Sequence, residues 1–354
     1  MFEYEDLDIA ASPDDILVST VNTVGVTGAG VAKAVADAYP EAASAYRKAC
    51  ESGRLRPGAL HSFQLEDGRR ILHMATKEHW KAPSQPHWAG SGLILLAAFL
   101  ARMDRQGAYP KSLTLPLPGA GHGGLDPARV DLMARACLAP AVERGLRVRV
   151  PHAPIDTGPI APVYAGVGAQ KTPVEVQGVM RDLAERLSDD GWLLRSGGAV
   201  GADQAFACGA RGRARIYFAD ERGAQASQDP GERIVHIPDT HYRIMRAFHP
   251  APERLSPFAE RLQARNTSQV FGGDLMAPAD IVICWTEGGR GRGGTGQAIR
   301  LAGCVGIPVM DLGRPEYQEV PAKQLHGQAL QLVEARRARL GVPSLRGATT
   351  SPEP

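Results

Sequence analysis

Short apolar runs alternate with amphipathic stretches along the chain. Apolar runs bounded by glycine, proline or charged residues predict strands, and apolar residues spaced three and four positions apart predict helices. In the N-terminal part, the predicted strands are Ile16–Val21, 71–74, 113–117 and 146–150, and the predicted helices are 31–52 and 92–105. This alternation is typical of an α/β fold in which helices cover a sheet.

A proline-rich segment interrupts the alternation near the middle of the chain. The segment 151–162 contains four prolines, and proline blocks both helices and central strands. We therefore predict a first domain over 1–150, a linker over 151–162, a second α/β domain over 163–320, and a C-terminal helix with a flexible tail over 321–354. In the second domain and the C-terminal segment, strands are predicted over 163–167, 192–195, 214–218, Ile281–Trp285 and 308–312, and helices over 173–190, Ala202–Gly209, 296–303 and Ala322–Leu340.

Composition supports two domains and limits the possible partners. A chain of 354 residues with 44% hydrophobic and 22% charged residues can bury two cores. A net charge of +2 gives no global attraction for DNA, so any nucleic-acid contact must come from a local patch. The five cysteines lie mostly in apolar surroundings without a Cys-x-x-Cys pair, which predicts reduced core residues and no metal site. With no export signal and no long apolar stretch, we expect a cytoplasmic protein without a membrane span.

Two glycine-rich turns follow predicted strands in the first domain. One contains Gly25, Gly28 and Gly30, and the other spans 118–124 with the sequence Pro-Gly-Ala-Gly-His-Gly-Gly. Glycines let backbone N–H groups converge on an anion at a helix N-terminus, where the helix dipole favours negative charge. One such turn is weak evidence, because many only connect a strand to a helix. Two of them could hold a diphosphate from both sides.

Three segments resemble the macrodomains, and within them the DarG-like antitoxin branch. They are Val-Asn-Thr-Val-Gly-Val-Thr-Gly-Ala-Gly-Val-Ala at 21–32, Ala-Thr-Lys-Glu-His-Trp-Lys at 75–81, and Pro-Gly-Ala-Gly-His-Gly-Gly-Leu-Asp at 118–126. Asp8 and Ile9 match the opening aspartate–isoleucine pair of the family. The resemblance covers nearly all of residues 1–150. It implies a three-layer α/β/α macrodomain that binds ADP-ribose in a cleft at the strand ends.

The resemblance also implies which residues contact ADP-ribose. Asp8 would accept a hydrogen bond from the adenine amine, Asn22 would contact the distal ribose, and the glycine turns would line the diphosphate. The predicted ligand-binding residues are Asp8, Ile9, Asn22, Gly28, Gly30, Val31, Gly119, Ala120, Gly121, His122 and Gly123. The residues themselves leave alternatives open, because Asp8 is equally suited to cap a helix or turn and Asn22 could hold its own turn.

Lys77 is the predicted catalytic residue. A lysine amine beside an anomeric carbon can act as a nucleophile when desolvated, or as a cation that stabilises the leaving base or orients water. The DarG-like family is understood to remove ADP-ribose from thymine in DNA with the lysine of this Thr-Lys-x-His-Trp motif, and the resemblance implies the same role for Lys77. His79 and Trp80 are predicted substrate contacts, although a histidine beside a tryptophan is often structural and Trp80 could simply anchor the loop.

Some positions depart from the DarG-like pattern. Ala29 stands where a lysine is common, and His122 where an amide is common. The acidic residue that related lysine-dependent hydrolases use has no secure equivalent. Asp126 is a candidate, but in an Asp-Pro sequence it is also suited to begin a helix. These departures bear on turnover more than on ligand binding.

Two glycine-rich loops of the second domain resemble the SLOG superfamily of Rossmann-like domains, which includes DprA and the LOG phosphoribohydrolases. The matching runs are Ser-Gly-Gly-Ala-Val-Gly-Ala-Asp at 196–203 and Gly-Gly-Thr-Gly at 293–296. The resemblance implies a Rossmann-like α/β SLOG domain that binds a nucleotide or single-stranded DNA at its strand ends. The predicted contacts are Gly197, Gly198, Ala199, Gly201, Asp203, Gly293, Gly294, Thr295 and Gly296.

Individual residues bear on the choice between SLOG branches. LOG enzymes carry a glutamate three residues after the threonine, where this chain has Ala298, so we do not expect hydrolysis of nucleotide monophosphates. Arg290, Arg292 and Arg300 fit the DprA-like alternative, because guanidinium groups bind phosphates of a single strand. The same arginines could instead belong to a solvated loop.

The leading prediction is therefore an ADP-ribosyl glycohydrolase that acts on ADP-ribosylated DNA, with ADP-ribose as ligand and product and no required cofactor. An alternative is a non-catalytic sensor of ADP-ribose-type signals in a phage or bacterial conflict system. A third is an antitoxin-like protein whose second domain binds a toxin.

Overall fold

The chain forms two compact units. A computed structural model describes residues 1–158, 160–227 and 231–345. The units are Met1–Thr157 and Gly158–Pro354, so the division lies inside the segment predicted as a linker. Pro159 of that segment and residues 346–354 of the predicted tail lie outside the described residues.

The first unit is built on a six-stranded sheet with the strand order β1-β6-β5-β2-β4-β3. The strands are β1 (Phe2–Tyr4), β2 (Ile16–Val21), β3 (Leu60–Gln64), β4 (Arg70–Ala75), β5 (Ser112–Thr114) and β6 (Arg147–Val150). All neighbours pair in parallel except β3, which is antiparallel to β4. The helices are α1 (Gly30–Ala38), α2 (Pro40–Glu51), α3 (Pro86–Arg105) and α4 (Pro127–Glu143).

The pairing of β2 with β4 places the loops that carry Asn22 and Lys77 at the same edge of the sheet. In this register Val21 lies opposite Ala75, so both strands end at the same edge of the sheet. Five of the six side chains of β2 are buried, as expected for a central strand covered on both faces. Asn22 and Lys77 therefore leave the sheet side by side, and the Thr23 N–H donates to the Glu78 carbonyl across the gap.

Prolines explain most differences between the predicted and observed elements of the first unit. The single helix predicted over 31–52 is wrong, because Pro40 ends one helix and begins the next. The helix predicted over 92–105 starts earlier, with Pro86 in its first turn. The strand predicted over 113–117 stops at Thr114, just before the segment that contains Pro116. Strands β1 and β3 and helix α4 were not predicted.

The second unit contains a six-stranded, fully parallel sheet with the order β10-β9-β8-β7-β11-β12. Its strands are β7 (Val163–Gly168), β8 (Leu193–Ser196), β9 (Ala214–Tyr217), β10 (Glu232–Ile234), β11 (Ile281–Trp285) and β12 (Val309–Asp311). Its helices are α5 (Val174–Asp189), α6 (Ala202–Gly209), α7 (Glu221–Ala226), α8 (Asp239–Phe248), α9 (Pro257–Phe271), α10 (Gly293–Cys304) and α11 (Ala322–Leu340). From β7 the chain adds strands β8, β9 and β10 on one side and then β11 and β12 on the other, so the strand order reverses between β7 and β11. Loops at such a reversal leave a crevice in which α/β proteins bind ligands.

The predicted elements of the second unit are all present, and their ends differ from the predicted ones by at most three residues. Helices α7, α8 and α9 and strand β10 were not predicted. The cysteines are free in the structure, but Cys208 is exposed on α6, so its prediction as a core residue is wrong. Among the described residues, no helix is long and apolar enough to cross a bilayer, and no group of side chains could hold a metal ion.

Candidate functional site

The first unit contains a cavity of about 930 Å³ at the carboxyl ends of β2 and β4. This volume is within the range of small-molecule and cofactor sites. The predicted site residues in its wall are Ile9, Asn22, Gly28, Gly30, Val31, Lys77, Trp80, Gly119, Ala120, Gly121, His122 and Gly123. The fold thus brings the three separate sequence segments around one cavity.

The N-terminus of α1 forms one side of the cavity. The residue before the helix is Ala29, which provides no side-chain cap. The N–H groups of the first helical turn have no acceptor within the helix, because the α-helical bonding pattern begins four residues later. Gly30 and Val31, which carry two of these groups, line the cavity. This side of the site is therefore suited to an anionic oxygen.

The second glycine turn, residues 118–124, forms another part of the cavity wall. Along the described chain, the N–H groups of Gly121, His122 and Gly123 donate to no protein acceptor, whereas the next one, on Gly124, donates to the Gly121 carbonyl. Close packing explains one of the glycines, since a methyl group on Gly123 would lie 2.3 Å from the Gly119 carbonyl oxygen. Three successive N–H groups are left for a ligand, as in anion-binding backbone nests.

Lys77 connects the end of β4 to this second turn. Its Nζ donates a 2.6 Å hydrogen bond to the His122 carbonyl. The side chain is partly buried and lines the cavity. The primary amine of Lys77 is thereby fixed beside the turn that carries the unpaired backbone N–H groups, and its catalytic role stays a prediction.

Asn22 holds the first glycine turn through its own carboxamide. Its Nδ2 donates to the Val26 carbonyl at 2.6 Å, and its Oδ1 accepts from the N–H groups of Val24 and Val26. The Tyr46 hydroxyl donates to the Asn22 carbonyl at 2.9 Å, and burial raises the pKa of this tyrosine. The interpretation of Asn22 as a turn residue is confirmed. Its contact with a ribose stays a prediction, supported by its position in the cavity wall.

Three acidic or basic candidates lie outside the cavity wall. Asp8 is exposed and caps the short helix Ile9–Ala11, accepting from the Ala10 N–H at 3.0 Å. Asp126 caps α4, accepting from the Ala128 N–H at 3.0 Å. Both cap interpretations are confirmed, whereas an adenine contact of Asp8 stays a prediction. His79 is exposed, stacks on Trp80 and accepts from the Lys81 N–H.

Trp80 forms part of the cavity rim. Its side chain is 48% exposed, and the Lys81 Nζ lies 4.8 Å from its ring centroid. An exposed indole beside a cation is suited to stack on a base whose phosphate meets the cation. The alternative role of Trp80 as a loop anchor is not supported by this degree of exposure.

The sequence interpretation missed several residues of the wall, of which five carry polar side chains: Thr20, Thr76, Lys81, Ser84 and His152. Lys81 ends the Lys-Glu-His-Trp-Lys cluster and could have been included with it. Ser84 and His152 lie in proline-containing segments without a pattern that indicates where the side chain points. His152 shows that the segment predicted as a linker contributes to the first unit.

No family model matches the chain, but individual relatives do. A DNA ADP-ribosyl glycohydrolase of Mycobacterium tuberculosis is 36% identical over 129 residues, which is 36% of this chain and 35% of that protein. A protein of the same name from Thermus aquaticus is 38% identical over 121 residues, 33% of this chain and 32% of its own. The N-terminal part of the chain is a macrodomain of the DarG type. The match spans about a third of the length of these relatives.

Solved structures are also similar to the N-terminal part of the chain. The macrodomain of Thermus aquaticus DarG is 34% identical, and the match covers 44% of this chain and 99% of that chain with a TM-score of 0.38. Thermosipho africanus DarTG in complex with ADP-ribose is 27% identical, and the match covers 44% of this chain and 43% of that chain with a TM-score of 0.38.

Asp203 organises the first glycine-rich loop of the second unit. Its carboxylate accepts from the N–H groups of Gly168 at 3.2 Å and Ala199 at 3.3 Å, and it pairs with the Arg265 guanidinium at 3.5 Å. Burial outweighs this pairing, raising the pKa of Asp203 and lowering that of Arg265. Asp203 therefore serves the protein's own backbone in this structure.

Packing, too, explains glycines in both loops of the second unit. A methyl group on Gly197 would lie 1.1 Å from the Arg265 guanidinium, and one on Gly296 would lie 2.1 Å from the Gly291 carbonyl oxygen. Thr295 is buried at the start of α10. The remaining predicted phosphate contacts here are Gly198, Gly201, Gly293 and Gly294, and their role stays a prediction.

The arginines of the second loop divide into two kinds. Arg290 and Arg292 are exposed. Arg300 is half-buried, donates to the Phe248 carbonyl at 3.1 Å and to the Gln297 side chain at 2.8 Å, and has a pKa lowered by burial. Arg300 is thus partly engaged within the protein and its binding to phosphates stays a prediction, whereas Arg290 and Arg292 are the exposed pair.

Proposed function

We propose that the first unit binds ADP-ribose and hydrolyses its bond to a nucleic-acid base, with ADP-ribosylated thymine in DNA as the substrate. The observation that carries this proposal is the Lys77 amine, held by the His122 carbonyl in a cavity whose wall also contains two sets of unpaired N–H groups. The names of the relatives, DNA ADP-ribosyl glycohydrolase, support it. A solved relative contains ADP-ribose.

The cavity suggests a position for each part of the ligand. The diphosphate lies between the N-terminus of α1 and the second glycine turn, because both present N–H groups to anionic oxygens. The distal ribose then lies towards Lys77, and the modified base extends past Trp80 at the rim. Asp8 lies next to the wall residues Leu7 and Ile9, where the adenine would be recognised.

Lys77 performs the chemical step in one of two ways. As a nucleophile, its amine attacks the anomeric carbon, the bond to the base breaks with its electron pair on the base, and water later releases ADP-ribose from the lysine. As a cation, Lys77 stabilises the departing base while water attacks directly. Either way the bond broken is the one between ribose and base.

A release experiment tests the proposal. The full chain is incubated with an oligonucleotide carrying ADP-ribosylated thymine, and free ADP-ribose is measured. We expect release by the wild type and loss of at least about a hundredfold in Lys77→Ala. Lys48→Ala, which removes an exposed lysine of α2, is the matched control and keeps full activity. Binding of the modified strand without release would instead support the sensor, in which the cavity sequesters ADP-ribose-type signals.

We further propose that the second unit, as a SLOG-like domain, binds a nucleotide or single-stranded DNA at the reversal between β7 and β11. The exposed Arg290 and Arg292 are the groups available to phosphates there.

Fluorescence anisotropy with a labelled single strand tests this proposal. We expect weaker binding by the double variant Arg290→Ala, Arg292→Ala, with a reduced dependence on salt. Arg254→Ala, which removes another exposed arginine of this unit, should bind as the wild type does. Binding that is equal in all three proteins would contradict the proposal, and a co-purifying protein partner would favour the toxin-binding alternative.

A further inference from the structure

Ser84 carries a buried hydroxyl without a hydrogen-bond partner in the wall of the cavity. Its side chain is 4% exposed, and among the described residues nothing accepts from or donates to its Oγ. Most buried polar groups in folded proteins have a hydrogen-bond partner, and one that has none calls for an explanation, such as a partner supplied by a bound molecule. The cavity in front of Ser84 is a place where a ligand can supply that partner.

The hydroxyl lies directly against the second glycine turn. The Ser84 N–H donates to the Gly123 carbonyl at 3.0 Å, which fixes the backbone of Ser84 to the turn. A methyl group on Gly123 would lie 2.3 Å from the Oγ, and one on Gly119 would lie 3.0 Å from it. The Gly119 carbonyl already accepts from the Leu125 N–H at 3.0 Å. The hydroxyl thus adds a side-chain donor to the unpaired N–H groups of the turn.

We infer that the Ser84 hydroxyl donates a hydrogen bond to an oxygen of the diphosphate of the bound ligand. The inference rests on the proposed function, which places a diphosphate beside this turn. A hydroxyl donor to a charged oxygen forms a stronger hydrogen bond than one to a neutral group. Ser84 is therefore a ligand-contacting residue that sets the affinity for diphosphates, separate from the action of Lys77 on the sugar.

If Ser84 has this role, replacing it lowers the affinity for the ligand and leaves the stability of the free protein unchanged. Replacing a structural serine removes a hydrogen bond and lowers the melting temperature, whereas replacing an unpaired buried hydroxyl costs the free protein nothing. Ser91 is the matched control, because it is fully buried on α3 and its Oγ donates to the Gly58 carbonyl at 2.8 Å. Ser84→Ala should thus keep its melting temperature and lose affinity, and Ser91→Ala should do the reverse.

The experiment combines calorimetric titration of the full chain with thermal unfolding in the absence of ligand. ADP-ribose and ADP are titrated into the wild type, Ser84→Ala, Ser84→Cys and Ser91→Ala. We expect Ser84→Ala to lower the affinity for both ligands by the same factor, about 10- to 100-fold, because both carry the diphosphate. The Ser84→Cys variant replaces the hydroxyl by a somewhat larger group that is a weaker donor, and its affinity should lie between those of the wild type and Ser84→Ala.

Each other result overturns a defined part of the reasoning. Unchanged affinity in Ser84→Ala, with the wild type binding normally, would overturn the inference and leave the proposed function standing. If Ser84→Ala weakened the binding of ADP-ribose but not of ADP, the hydroxyl would contact the distal ribose, and the diphosphate contact would be overturned. A fall in melting temperature as large as that of Ser91→Ala, with unchanged affinity, would show that Ser84 is structural. Absence of ADP-ribose binding by the wild type would overturn the proposed function as well.

Discussion

The Lys77 Nζ lies 2.6 Å from the carbonyl oxygen of His122, and this contact joins the loop after β4 to the second glycine turn. The contact depends on the backbone of His122 rather than on its imidazole. The departure from the family pattern at His122 therefore leaves the position of the lysine unchanged. The same hydrogen bond ties the amine to the turn that carries the unpaired N–H groups.

Arginine at position 77 separates the two roles of the lysine. We expect Lys77→Arg to be as inactive as Lys77→Ala in releasing ADP-ribose, because a guanidinium keeps the charge but is not a nucleophile. Binding of free ADP-ribose should change by only a few-fold, which calorimetry measures. A variant that kept more than about a tenth of wild-type release would show that positive charge is what the reaction needs.

Gly121 and Gly123 form a matched pair for testing the second turn. A methyl group on Gly121 meets no protein atom within 4 Å, so Gly121→Ala should fold normally and weaken ADP-ribose by narrowing the cavity. Gly123→Ala should cost about 1–3 kcal/mol of stability, because its methyl group would overlap the Gly119 carbonyl. Thermal unfolding with and without ADP-ribose measures both. Unaltered binding by Gly121→Ala would place the ligand elsewhere.

Trp80 should serve the nucleic acid more than the ADP-ribose. We expect Trp80→Ala to raise the KM for the modified oligonucleotide by roughly tenfold, since an aromatic ring contributes about 1–3 kcal/mol per stacked base, and to leave the affinity for free ADP-ribose nearly unchanged. Phe258 is the control, because it is also exposed, at 49%, and has the Arg261 guanidinium over its ring. If the oligonucleotide KM were the same in both variants, the stacking role would be excluded.

His73 should make the first unit sensitive to acid. Burial, with a smaller effect from the charge of His61, lowers the pKa of His73 from 6.5 to about 4. As the pH falls, the unfolded chain takes up this proton first, so the free energy of unfolding decreases between about pH 6.5 and pH 4 and changes little below that. The loss is about 3 kcal/mol for this group. Urea unfolding across this range should show a flatter profile for His73→Leu, and parallel profiles would assign the acid sensitivity to other groups.

The sequence was sufficient to predict the regular elements that contain strong periodicity, and both glycine-rich turns of the cavity. It did not reveal β1 or β3, because three- and five-residue edge strands carry too short a pattern. Apolar residues recur at helical spacing across 31–52, and this pattern concealed the break at Pro40, where one proline ends α1 and begins α2. Local patterns also cannot show which side chains meet after folding.

The same limit applies to the candidate site. The resemblance pointed to Lys77 and the glycines, whereas the partner of Lys77 turned out to be a backbone carbonyl, which every residue carries. Ser84 was missed because its hydroxyl is buried by the packing of the loop before α3 against the second glycine turn, which the sequence does not show. Conversely, Asp203 and Gly197 matched a phosphate-binding pattern, but Arg265, distant in sequence, accounts for much of their local structure.

Asp203 provides a test of that structural role in the second unit. Asp203→Ala leaves Arg265 as a buried charge without its acid partner and leaves the Gly168 and Ala199 N–H groups without an acceptor. Breaking such a buried pair typically costs about 3–5 kcal/mol, so we expect a large fall in the melting temperature of this unit. Asp203→Asn keeps one acceptor oxygen and should lie between the wild type and Asp203→Ala. ADP-ribose binding, which we propose for the first unit, should persist in both variants. A stable Asp203→Ala protein that had lost only nucleotide or single-strand binding would instead assign Asp203 to the ligand.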